Sequence, residues 1–118
     1  MAFKFEKLLV WQKALDLSEE VNLLVKRFPK AELFILTAQI KRAADSVFLN
    51  IDEGSTGQSN PEQNRFLGIA LRSDIEVVGC LHIAIRRKYI DQDDFNRIYK
   101  LCEEILSLIY GLKKSLSY

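Results

Sequence analysis

Residues that could do bond-making chemistry are few in this chain, and their spacing argues against it. Its one histidine lies in Cys80-Leu81-His82-Ile83-Ala84, where the nearest preceding carboxylate, Glu76, is six residues away rather than one helical turn. The Glu-x-x-His pattern of a helical metal site is therefore missing, and His82 is expected in a structural or surface role. Cys80 and Cys102 are far apart, have no ligand-spaced neighbour and fall among Val78, Leu81, Leu101 and Ile105. That setting predicts two buried or half-buried thiols rather than a disulfide, a metal pair or a nucleophile. Asp52-Glu53 and Glu103-Glu104 are consecutive carboxylates, whose side chains diverge on a helix instead of sharing a proton. With no triad-like serine and no glycine-rich phosphate loop, the chain is expected to be no enzyme and to carry no catalytic residue, metal or cofactor.

Charge recognition is the chemistry left. Seventeen Lys and Arg against sixteen Asp and Glu give a net charge of +1, so any phosphate-binding site has to be local. Arg65 and Arg72 form one such set, because seven residues along a helix return to the same face. Glu76, four residues beyond Arg72, and Glu53, across a glycine turn from Arg65, are the carboxylates placed to neutralise them. The aromatic residues add no base-reading module. Trp11 lies at helical spacing between Leu8 and Leu15, as a core or subunit-interface residue does. Tyr89, Tyr99, Tyr110 and Tyr118 lack the basic interleaving of an RNA-binding sheet.

Four amphipathic helices must position these residues. Leu8, Trp11, Leu15, Ser18, Val21 and Val25 mark one side of a helix over about Glu6 to Arg27, widened by Leu17 and Leu24 and ended by Phe28-Pro29. A second helix is predicted from about Ala31 to Asp52, with Leu33, Leu36, Ile40, Ala44, Val47 and Ile51 inward and Gly54 closing it in the left-handed conformation. Asp52 and Glu53 oppose that helix's dipole, which calls for solvent exposure or a basic partner across the turn. Asn60 as cap, Pro61 at the first position and Gln63 at the third predict a third helix reaching about Tyr89. Gly68 and Gly79 inside it point to close contacts or a mild bend. Asp91, Asp93 and Asp94 suit the start of a fourth helix, whose apolar period runs from Phe95 through Leu112.

The connections are short, so consecutive helices run antiparallel. The prediction is an all-α, up-down-up-down four-helix bundle, with residues 1–118 as a single domain. No apolar run approaches the length of a membrane span and the N-terminus lacks a signal-peptide core, so a cytoplasmic location is expected. This topology brings Lys26, Arg27 and Lys30, at the end of the first helix, to the same end of the bundle as Arg86, Arg87 and Lys88 of the third. The six cations form a candidate surface for RNA or DNA phosphates, with Arg65 and Arg72 as a second. Asp91, Asp93 and Asp94 reach the same end, and a solvated mixed-charge surface is the competing reading.

Several motifs, in order, resemble one known family. They are Val10-Trp11-Gln12-Lys13-Ala14, Arg27-Phe28-Pro29 with Glu32, Gln39-Ile40-Lys41-Arg42-Ala43-Ala44, Asn50-Ile51-Asp52-Glu53-Gly54 and Arg65-Phe66-Leu67-Gly68-Ile69-Ala70. The chain is similar over most of its length to the four-helix bundle proteins encoded in intervening sequences of bacterial 23S rRNA genes, labelled S23 ribosomal proteins. Accessory proteins of diversity-generating reverse transcriptases belong to the same group. The resemblance implies a non-catalytic homo-oligomer, a closed homopentamer with a central channel, whose partners are nucleic acid or a reverse transcriptase. Asp52 and Gly57 depart from the family's usual alanine and arginine, and Arg72-Ser73-Asp74-Ile75-Glu76-Val77-Val78 departs from its Gly-Ser-Leu-x-Glu-Leu-Glu pattern.

Overall fold

Pro29 sets the first break in the chain. In the computed structural model, which describes residues 6, 8–56 and 59–116, α1 (Leu9–Leu24) passes into one 3-10 turn (Val25–Arg27) and then into extended backbone at Phe28 and Pro29. A second 3-10 turn (Lys30–Glu32) precedes α2 (Leu36–Gly54). The helices on both sides of this corner are therefore shorter than apolar periodicity predicts. Proline fixes its own φ and disfavours a helical residue before it. Beyond it, Glu32 is turned inward, where its Oε2 accepts hydrogen bonds from Arg87 and Tyr89.

The other ends are set by caps. Ser59, not Asn60, occupies the cap of α3 (Asn60–Arg86), and no side-chain hydrogen bond closes it; Asn60 and Pro61 both fall in the first turn, where proline's missing N–H has no helical partner to lose. At the other end, the N–H of Tyr89 donates to the carbonyl of Ala84 and that of Lys88 to Ile85, a Schellman closure with Lys88 left-handed at φ 63°. α3 thus ends at Arg86, short of Tyr89. Asp91 caps α4 (Gln92–Ser115), its Oδ1 accepting from the N–H of Asp94 at 2.8 Å, as the acidic sequence there predicts. Gly54 ends α2 without the left-handed conformation expected of it. A Cβ there would sit 3.0 Å from Cβ of Phe66, so the residue's role is close approach of α2 to α3.

The four helices form the expected up-down-up-down bundle, about twice as long as wide at 45 × 23 × 23 Å. α2 packs most extensively on α3, and α1 with α2, α3 with α4 and α1 with α4 close a square section. Ile40, Ala44, Val47, Ala70, Leu81 and Ile98 are buried in one core, with Trp11 and Phe66 half-buried against the bundle. The inward stripe of α1 is Val10, Ala14, Leu17, Val21 and Leu24, rotated from the one expected; Leu15 faces outward, and so does Leu33 before α2. Two overlapping stripes of α1 carry helical period, and the positions of α2 and α4 choose between them. Gly57 and Tyr118 lie outside the described residues.

Candidate nucleic-acid interface

Because α1 ends where α2 begins, and α3 where α4 begins, one end of the bundle collects all six cations that the sequence pointed to. Ion pairs across that end fix the juxtaposition. Arg27 Nη1 contacts Asp94 and lies 3.5 Å from Asp91 Oδ2, tying the exit of α1 to the entry of α4. Arg87 Nη1 lies 2.9 Å from Glu32 Oε2, tying the exit of α3 to the turn before α2. Hydrogen bonding from Tyr89, followed by the charge of Arg87, holds the Glu32 carboxyl below its ordinary range, while the Tyr89 phenol is raised by the carboxylate it bonds. Asp91 is likewise lowered, chiefly by the N–H of Asp94.

The six cations therefore divide. Arg27 and Arg87 are neutralised within the fold, the first by the aspartates foreseen and the second by Glu32, which was not. Lys26, Lys30, Arg86 and Lys88 are exposed and make no ion pair among the described residues. Asp93, the remaining acid at this end, is exposed beside them. Lys88 is also the one described non-glycine residue at positive φ, a conformation that costs a non-glycine residue about 1 kcal/mol or more.

On α3 the second candidate pair is split. Arg65 is bidentate on Glu62, with Nη2 2.6 Å from Oε1, and its guanidinium lies 4.6 Å from the Phe66 ring centroid. The pair lowers the Glu62 carboxyl and raises Arg65. Arg72 is exposed, and Glu76, expected to engage it, accepts from Gln39 Nε2 at 3.2 Å instead. Sequence reasoning singled out neither Lys41 nor Arg42 as a site residue, yet both are exposed on the outer side of α2. Their position opposite Ile40, Ala44 and Val47 was the signal available.

Bond-making residues are dispersed. His82 is exposed and edge-on to Phe95 and Tyr99, at ring-centroid distances of 5.0 and 6.3 Å. Cys80 and Cys102 are buried free thiols, Cys80 pushed up to about 11 and Cys102 raised further by burial beside Asp74. Asp74 is the unforeseen group: its carboxyl is buried in the core, Oδ1 has no hydrogen-bond partner, and burial pushes it up to about 7 against a weaker lowering by the Cys102 thiol. Among the described residues no three His, Cys, Asp or Glu side chains are grouped to hold a metal, and no helix is long and apolar enough to cross a membrane.

A family model described as 23S rRNA-intervening sequence protein matches residues 6–111. A crystal structure from Bacteroides thetaiotaomicron VPI-5482, of a protein with unknown function from the S23 ribosomal protein family, is similar to this chain at a TM-score of 0.84 and 28% identity. The similarity covers 90% of this chain and 99% of that one. No curated protein matches.

Proposed function

Because the chain belongs to the 23S rRNA-intervening sequence protein family, we propose that it is a non-enzymatic, homo-oligomeric module of the cytoplasm that binds structured RNA through the bundle end bearing Lys26, Lys30, Arg86 and Lys88. The observation that carries this reading is the backbone at Lys88. A helix end closed by a left-handed residue favours glycine, and here a lysine stands in that position beside three other unneutralised cations. Conformational strain retained at an exposed cation is the kind of outlier from which a functional role is inferred.

Binding here is to phosphate rather than to base edges, since the end offers charge and no groove-entering element. One copy supplies four cations, and a homo-oligomer, a pentamer by family resemblance, multiplies that field. A reverse-transcriptase accessory role uses the same charged end toward a different assembly; an adjacent reverse transcriptase gene, in place of an enclosing ribosomal RNA gene, would favour it.

The test is affinity for 23S ribosomal RNA over a salt series. Lys26→Glu, Lys30→Glu and Arg86→Glu should each lower affinity and reduce the log–log salt slope, by roughly one per lost phosphate contact, with assembly unchanged. Arg86 is a cleaner target than Arg87, whose reversal would also strand Glu32. Unchanged affinity and slope in correctly assembled variants overturn the assignment to this end.

A further inference from the structure

Two neighbouring corners of the bundle carry exposed leucines around charges of opposite sign. On α1, Leu15, Glu19 and Leu23 recur every four residues on the side opposite the core, with Asp16 beside them; the leucines are 44% and 50% exposed. On the outer side of α2 a shallow groove is lined by Leu33, Ala38, Lys41, Arg42, Asp45 and Leu49, with Leu33 and Leu49 51% and 55% exposed. Lys41 and Arg42 make no ion pair among the described residues, and Asp45 already accepts from Ser18 Oγ at 2.6 Å. The first stripe is apolar and acidic, the second apolar and basic.

Their heights along the bundle also match. Trp11 bonds Asp52 and Ser18 bonds Asp45, so seven residues up α1 correspond to seven residues back along α2. This antiparallel register sets Leu15 level with Phe48, next to Leu49. It sets Glu19 level with Ala44, about 3 Å from the height of Arg42, and Leu23 level with Ile40, next to Lys41. Copies related by rotation about an axis parallel to the bundle keep these heights, so Leu15 meets Leu49, Glu19 meets Arg42 and Leu23 lies against Lys41.

We infer that the outer face of α1 in one copy docks in the α2 groove of the next, head to tail, around a closed ring. This rests on the homo-oligomeric reading above and adds the two surfaces that make the contact. In a square bundle of 23 × 23 Å section, adjacent corners face about 90° apart. A heterologous contact between faces at that angle closes at four copies, and opening it by about 20° closes it at five, whereas diagonal faces would propagate an open stack. All copies in such a ring point the same way. Every Lys26, Lys30, Arg86 and Lys88 then lies on one rim, which concentrates the positive field on a single face.

Sedimentation velocity of the full chain over a concentration series reads the contact. Glu19→Lys and Arg42→Glu should each raise the concentration for half-assembly by at least about tenfold, with unchanged helical circular dichroism, and combining the two substitutions in one chain should restore assembly, because every contact in a ring of any size then carries the same pair with its signs exchanged. Independently, Leu15→Cys/Leu49→Cys should give a ladder of covalent oligomers on mild oxidation that neither single variant gives. If the wild type assembles while both charge variants assemble as well and the double cysteine variant gives no ladder, the faces are wrong though the homo-oligomeric reading survives. A wild type that stays monomeric at all concentrations overturns both.

Discussion

The indole Nε1 of Trp11 donates to Oδ1 of Asp52 at 2.8 Å, joining the first turn of α1 to the last turn of α2. An aspartate at a helix C-terminus opposes the helix dipole, and its expected compensation was exposure or a cation. The compensation found is a neutral donor from another helix, backed by the Trp11 and Phe48 rings at 5.3 Å. Asp52→Ala should lower unfolding free energy by about 1 kcal/mol, and Asp52→Asn, which keeps an acceptor, by less. Urea denaturation of the two variants compares them directly; equal losses would mean that the bond contributes nothing of its own.

Asp74 makes stability depend on pH in an unusual direction. Its folded value, about 7, stands above the unfolded one of 3.8, so the fold binds its proton more tightly than the unfolded chain does. Its contribution is fully present below the unfolded value and is lost as pH rises through about 7. Asp74→Asn should therefore flatten the decline between pH 4 and 8, measured by denaturant midpoints, and should stabilise the protein by on the order of a few kcal/mol at pH 8. A decline unchanged in the variant would assign it to another group.

Glu32 acts with the opposite sign. Its folded pKa lies below the ordinary 4.5, so the stabilisation it gives is present above that value and lost as pH falls through the lowered one. Glu32→Gln should remove part of the acid limb of the stability profile and leave the neutral limb in place. The same midpoints, taken below pH 5, check it.

Replacing Lys88 by glycine should stabilise the monomer by roughly 1 kcal/mol, because the left-handed closure then carries no Cβ penalty. RNA affinity should fall in the same variant. Thermal melts and binding isotherms on one preparation separate the two effects, and a gain in stability without a loss of binding would remove Lys88 from the interface.

Val47 tests the core. It is fully buried on α2, and Val47→Ala should cost about 1 to 3 kcal/mol through lost transfer energy and the cavity left behind. Gly79→Ala should do the reverse, gaining up to about 1 kcal/mol, since a Cβ there meets no atom within 4 Å. Chemical denaturation measures both.

Apolar period and local caps are short-range properties, and they determined the number of helices, the fold class and the cap at Asp91. Alternating helix direction follows from short connections, so the convergence of Lys26, Arg27 and Lys30 on Arg86, Arg87 and Lys88 was legible as well. What tertiary structure alone decided is which charges are free. Apolar period places Glu32 inside a helix, whereas it lies in a 3-10 turn that turns it onto Arg87, and Arg65 pairs with Glu62 on its own helix. The outward turn of Leu15 and Leu33 belongs to the same class, because two overlapping apolar stripes have the same period and only the placement of neighbouring helices selects one. Asp74 is the limiting case: beside Ile75 and Val77 it reads as an ordinary helical aspartate, and only the packing of α4, which brings Cys102 against it, makes it a buried acid. Periodicity is written residue by residue along the chain, whereas pairing and desolvation depend on which distant side chains arrive, and those are fixed only when the helices pack.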